Sequence, residues 1–239
     1  MLSAAPAVIA DLVPHDVLRV SINLGNPVLA QGTPAAPRGV TVDIGREVAG
    51  RLGVQPEFHC FTAARDSFQA VLSGQADICF LALEPAREAE IAFTAAYVLI
   101  EGVYAVRSES PLAAIADVDR AGVRIGVKQG SAYDLFLTRT LRHATVVRGA
   151  EGTELFAAEN LEVAAGIREP VTEWVAAHPG FRLIDGAFME IRQAVGTAKT
   201  KRPETIRFLR DLVEELKASG FVADALHRSG QTAPVAPPG

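Results

Sequence analysis

Apolar positions along this chain switch repeatedly between a period of two and a period of about 3.6. Residues 17–22 form a β run. Residues 40–52 place Ile44, Val48 and Leu52 at helical spacing, with Asp43 in the first turn and Gly53 as the stop. A second β run follows at 54–61, a short helix at 64–73 closed by Gly74, and a third β run at 77–83. Strand alternating with helix predicts a parallel sheet covered by helices, because each parallel crossover needs a connection of helix length.

The rhythm then changes. Residues 95–107 are one long extended run, followed by Pro111 and a linker up to Gly122. Alternation resumes with a strand at 123–127, a helix at 131–142, a strand at 144–148, a short helix at 152–158 and a strand at 161–165. A helix at 170–177 has Pro170 at its first position, and a strand follows at 181–184. A second long extended run covers 189–198. Residues 203–218 are an amphipathic helix with Ile206, Leu209, Val213 and Leu216 on one face, and 221–228 are a further helix. The Pro-rich tail from Gln231 reads as disordered.

The fold class is therefore α/β, with two Rossmann-like lobes joined by two crossing strands. Residues 1–100 and 191–239 are expected to form the first lobe, and 101–190 the second, inserted lobe. Two crossing strands make a hinge, and a cleft between lobes at the carboxyl ends of parallel strands is where small ligands bind.

Composition narrows the function classes. The 239 residues are 49% hydrophobic and 21% charged, which disfavours disorder, collagen and coiled coil. A net charge of −5 supplies no broad attraction for nucleic acid or an anionic membrane. No run reaches the roughly 18 apolar residues of a membrane span, and the most apolar one, 95–106, contains Glu101. The start, 1–16, has no basic segment and carries Asp11 within its apolar block, so no secretory signal is read there. Either a signal was removed or the protein stays in the cytosol. Cys60 and Cys79 lie in apolar runs (FHCF and DICF) and read as buried small hydrophobes rather than a disulfide. A 2-1-3 strand order would put the first strand between theirs. Five scattered histidines show no metal-ligand spacing, and neither a metal nor a cofactor is expected.

Few residues could carry chemistry. In Gly126-Val127-Lys128-Gln129-Gly130-Ser131-Ala132-Tyr133-Asp134 a strand turns into a helix, and Ser131 with Asp134 fits the S-x-x-D cap. The amides there make either an ordinary capped helix or an anion site. Neither the GxxxxGK[ST] nor the GxGxxG phosphate pattern is present. Arg87, in Leu83-Glu84-Pro85-Ala86-Arg87-Glu88, is either a surface residue in a charge network or a guanidinium that takes a ligand carboxylate in a two-pronged bond. Glu169 is either a helix-start carboxylate or a partner for a ligand ammonium. Asn23 and Asn26 are turn formers that could also bond a polar ligand. Trp174 and Phe188 read as core residues.

Three stretches stand out along the chain: the early Gly39-Val40-Thr41-Val42-Asp43-Ile44, the run Arg87-Glu88-Ala89-Glu90-Ile91-Ala92-Phe93-Thr94-Ala95-Ala96-Tyr97 and the turn Gln129-Gly130-Ser131. Together they resemble the family-3 extracellular solute-binding proteins of ABC transporters, polar amino-acid receptors with the type II periplasmic binding fold. The resemblance covers about residues 17 to 228. It implies that Arg87 binds the ligand carboxylate and that Ala82 supplies a backbone N–H. Gln129, Ser131 and Ala132 match the second-lobe turn that also holds the carboxylate. Glu169 falls near the acid that holds the ammonium, and Asn23 or Asn26 lies where relatives place an aromatic lid. This chain departs from the pattern by carrying Ala82 and Ala132 in place of hydroxyl residues and Glu in place of Asp at 169.

The resemblance implies a solute-binding component that takes an amino acid or small organic acid and closes about its hinge. It would dock, as a monomer, on an ABC transporter permease in the periplasm. Two other readings share the scaffold. One is a cyclohexadienyl (prephenate or arogenate) dehydratase-like enzyme using Glu169 or Glu173 with Lys128, although no triad, nucleophile elbow or metal set is visible. The other is a ligand sensor.

Overall fold

The computed structural model describes residues 3–239. The chain divides into two compact units. Unit 1 is the chain up to Leu99 together with Arg192–Gly239, and unit 2 is Ile100–Ile191.

Unit 1 begins with α1 (Pro6–Leu12), a helix absent from the sequence expectation, and β1 (Val17–Asn23). A two-stranded hairpin, β2 (Gln31–Thr33) and β3 (Ala36–Arg38), leads into α2 (Val40–Leu52). Gly53 stops α2 in the left-handed conformation, φ 73°. Then come β4 (Gln55–Phe61), α3 (Ala64–Leu72), β5 (Ile78–Ala82), the single turn α4 (Pro85–Glu88) and the long β6 (Ile91–Arg107), which passes into unit 2. After unit 2 the chain returns along β11 (Met189–Ala198) and ends with α8 (Pro203–Ala218) and α9 (Phe221–Arg228).

Strands β4, β1 and β5 are parallel in that order. This is the expected 2-1-3 arrangement, so β1 separates Cys60 from Cys79, and both are free thiols. Strand β11 adds antiparallel to β5, with Val195 opposite Phe80, and β6 is its other neighbour. Cys79 and Leu81 of β5 pack with Ala70 and Val71 of α3, Ile91 and Phe93 of β6, and Ala194 of β11.

Helix α8 has the expected bounds, but its buried face is Thr205, Phe208, Leu209, Leu212, Val213 and Leu216. Ile206, placed on that face from spacing alone, is only half-buried. The tail also departs from expectation. Residues from Gln231 are ordered against unit 1, with Val235 bridged antiparallel to Val98 and with Ala233 and Ala236 buried. Its prolines cannot form a helix, yet their extended backbone suits a sheet edge.

Unit 2 holds β7 (Arg124–Lys128), α5 (Ala132–Thr140), β8 (Thr145–Gly149), α6 (Gly152–Ala158), β9 (Val163–Ile167), α7 (Arg168–Ala177) and β10 (Phe181–Leu183). Strands β8, β7 and β9 are parallel, while β9 and β10 pair antiparallel with β6. Phe156 is fully buried among Val103, Ala105, Leu161, Ala164 and Val171, a burial worth about 1.5–3 kcal/mol. Trp174 packs on Phe156 and Phe181, and Phe188 stacks on Tyr104 at 4.2 Å between ring centres, as core residues would. Helix α7 starts two residues before the expected Pro170, at Arg168. Proline in a first turn removes only an N–H that the helix leaves unbonded, so it does not fix the first residue.

Candidate functional site

In unit 1, β5 ends at Ala82 and the chain turns through Glu84 into α4. Pro85 starts that turn, and Arg87 falls near its end. The Arg87 guanidinium folds back on the strand, and its Nη1 donates to the Ala82 carbonyl at 3.2 Å. Arg87 is 3% exposed and Glu84 2%, so the surface-charge reading of Arg87 does not hold. Burial pulls the Arg87 guanidinium down to about 10, against the favourable fields of Cys79 and Glu84. The same burial pushes the Cys79 thiol up to about 12, with Arg87 opposing. Removing a cation from water is costly, and the Ala82 carbonyl and Glu84 act against that cost.

The loop after β1 holds both candidate asparagines. Asn23 Oδ1 accepts from the Gly25 amide at 3.0 Å, the turn-forming role read from sequence. Asn26 is 6% exposed, and its Oδ1 is buried with no hydrogen-bond partner. Gln31 Oε1, a few residues on, is likewise buried and unpartnered. Nothing in the local sequence marks Gln31.

In unit 2, β7 runs into the turn Gln129-Gly130-Ser131 and then α5. Gly130 has φ 73°, a conformation that favours glycine. Ser131 caps α5, its Oγ accepting from the Asp134 amide at 3.0 Å. Asp134 reaches back to accept from the Gly130 amide at 2.8 Å and pairs with Arg148 Nε at 2.9 Å. The Gln129 amide donates to the Gly149 carbonyl and the Ser131 amide to the Lys128 carbonyl. The S-x-x-D cap therefore forms, and the amides of Gln129, Gly130 and Ser131 are all engaged within unit 2. The amides of Ala132 and Tyr133 lead the helix, where geometry provides no intrahelical acceptor. Lys128 donates to Glu151 at 2.5 Å.

Glu169 is the second residue of α7. It is half-buried, and its Oε2 is buried with no hydrogen-bond partner. Arg168 beside it pairs with Glu101 and donates to the Gly186 carbonyl. Glu173 is exposed. The candidates thus gather into Ala82 with Arg87 and Asn23 with Asn26 in unit 1, and Gln129, Ser131 and Ala132 in one turn of unit 2, with Glu169 on α7 of the same unit. Sequence reasoning missed Glu84, buried beside Arg87, whereas Asp134, read from the S-x-x-D pattern, does close the turn. Among the described residues no three His, Cys, Asp or Glu side chains gather as metal ligands. No described helix is long and apolar enough to cross a membrane.

The two α/β units and the strands that pass between them define the class: a type II periplasmic binding protein fold. The model for bacterial extracellular solute-binding proteins, family 3, matches residues 18–229, and the chain belongs to that family. A mutant of ArgBP from T. maritima is 18% identical, with a TM-score of 0.76 over 93% of this chain and 99% of that one. The ancestral amino acid-binding protein AncCDT-1, a precursor of cyclohexadienyl dehydratase, is 15% identical, with a TM-score of 0.75 over 92% and 97%. A histidine kinase sensor domain with similarity to periplasmic binding proteins is 17% identical, with a TM-score of 0.77 over 93% and 99%. At these identities the likeness is one of fold. No curated protein matches the chain.

Proposed function

We propose that this protein is the solute receptor of an ABC uptake transporter and binds an amino acid or a related small carboxylate. The observation that supports this best is the buried Arg87 in α4, just after β5, whose guanidinium folds back on the Ala82 carbonyl. A guanidinium presents an arriving carboxylate with a planar fork of donors. The resemblance supplies the remainder of the reading: a share in binding for the Ser131–Ala132 turn, closure about the crossing strands, a permease partner and a periplasmic setting.

A thermal-shift screen over amino acids and small organic acids tests the class, since a ligand held only by the native state raises the melting temperature. Calorimetry with the best compound then tests the residue. Arg87→Ala is expected to weaken binding at least tenfold, because a lost charged hydrogen bond costs about 1.5–3 kcal/mol. Arg87→Lys keeps the charge but loses the fork, so it restores only part of the affinity. Unchanged affinity in Arg87→Ala removes the assigned role, and a screen with no shift overturns the class.

One observation favours a dehydratase-like activity instead, the buried, unpartnered Glu169 Oε2. Incubation with prephenate decides that reading, and absence of product rejects it.

A further inference from the structure

The segment from Gln231 to Gly239 carries an inference independent of ligand binding. It lies in extended form along β6 within unit 1. The Leu99 amide donates to the Pro234 carbonyl at 3.0 Å, and the Ala236 amide donates to the Tyr97 carbonyl at 3.1 Å. These two bonds flank the Val98–Val235 bridge and make one antiparallel ladder step. Lys217, near the end of α8, fastens the arrangement. Its side chain is 5% exposed, and its ammonium donates to the Ala96 carbonyl of β6 at 3.1 Å, the Pro237 carbonyl of the tail at 2.8 Å and Glu214 at 2.6 Å. An ammonium has three donors, and all three are used.

The edge beneath the tail is a hazard if left bare. Residues 91–100, Ile-Ala-Phe-Thr-Ala-Ala-Tyr-Val-Leu-Ile, contain no charge and no proline. Such a run on an open edge is a template for another strand. On one side β6 adjoins β11. On the other, at Tyr97 and Leu99, it meets the tail. Strand alternation turns the N–H and C=O of Val235 away from β6, and Pro237 is the next residue facing that way. Pro237 has no N–H, and its carbonyl is held by Lys217. The tail therefore satisfies the edge and offers little to a further strand.

We propose that residues 231–239 form an edge-closing strand that denies the β6 edge to a second copy of this chain. A second copy is the natural competitor, because the same uncharged strand pairs antiparallel with itself about a two-fold axis. The full chain then stays monomeric, and loss of the tail opens the edge to self-pairing.

The experiment compares the full chain with a chain ending at Gly230, by sedimentation over a range of concentrations. The expected result is a monomer for the full chain and a reversible, concentration-dependent dimer for the shortened one. A synthetic peptide of residues 231–239, added in trans, should return the dimer to monomer. A shortened chain that folds and stays monomeric throughout overturns the proposal. So does a full chain that dimerises to the same extent. If the shortened chain does not fold, Ala236→Pro serves, since it removes the amide that bonds Tyr97 while the rest of the chain stays in place. Amide exchange at Leu99 should then accelerate roughly tenfold or more, with α2 unaffected and dimer appearing. Unchanged exchange at Leu99, or faster exchange without any dimer, overturns the proposal equally.

Discussion

Asp11 Oδ2 accepts a hydrogen bond from Thr205 Oγ1 at 2.6 Å, joining residues 194 positions apart. The same oxygen accepts from the Arg202 amide at 2.9 Å. Helix α8 has no side-chain cap of its own at Arg202. A carboxylate from α1 supplies that cap, next to the positive end of the helix dipole. Asp11→Ala is therefore expected to cost about 1 kcal/mol, the usual loss of an N-cap. That is about 2–4 °C in melting temperature for a chain of this size. Asp11→Asn should lose less, because an amide oxygen still accepts. Equal melting curves for wild type and Asp11→Ala would contradict the cap.

Stability should fall on acidification, and Asp119 is one source. Its carboxylate accepts from the amides of Ala144, His143 and Arg142, which hold its carboxyl below the ordinary aspartate value. Asp11 is shifted the same way: burial alone would raise it, but the bonds from Thr205 and Arg202 outweigh burial. A depressed folded-state value means the contribution is fully present above the unfolded value, about 3.9. It is lost as pH falls through the folded value. Chemical-shift titration should show both carboxyls titrating below a free aspartate. Asp119→Asn should flatten the acid limb of the melting-temperature profile, and an unaltered limb would exclude Asp119 as a source.

Close backbone approach sets the cost of adding a methyl at Gly152. A Cβ there would lie 2.8 Å from the Gly126 carbonyl oxygen and 3.0 Å from that of Ala165. A Cβ on Gly126 would in turn meet the Gly152 carbonyl at 2.7 Å. These are backbone atoms, so α6 must lift from β7 to make room. Gly152→Ala should destabilise by about 1–3 kcal/mol or more, read by urea unfolding. The exposed Gly50, with open space around its Cβ position, is the control.

The two thiols should differ in reactivity. Burial pushes Cys79 up to about 12, while Cys60 is half-buried on the outermost strand β4 and raised less. A thiol reagent at pH 8 should modify Cys60 alone in the native protein, since the thiolate is the reactive form. Both should react after unfolding without reductant. Fewer than two thiols at that point would mean the cysteines are bonded.

Several elements were already written in local residue order. Helices α2, α6, α8 and α9 and strand β11 have the bounds that spacing and punctuation predict. There, a short-range period, a glycine stop or a leading proline decides the structure without distant help. The parallel alternation followed from the same rhythm, the 2-1-3 order is the usual one for such a unit, and the Ser131–Asp134 cap followed from a four-residue pattern. The candidate residues around Arg87 were legible as residues, but their burial was not. An arginine among acids reads as surface until the turn after β5 folds it back onto Ala82.

Tertiary structure alone decided the rest. The β2–β3 hairpin has only three residues in each strand, too few for a period to emerge. Asp11 and Thr205 share no local pattern, and only the packing of α1 on α8 brings them together. The Pro-rich tail carries the composition of a disordered segment, yet it is ordered because β6 offers it unpaired amides and carbonyls, an apolar neighbour and the Lys217 ammonium. Local sequence governs what a segment prefers by itself, whereas long-range pairing depends on partners far away in the chain, and no window along the sequence contains both.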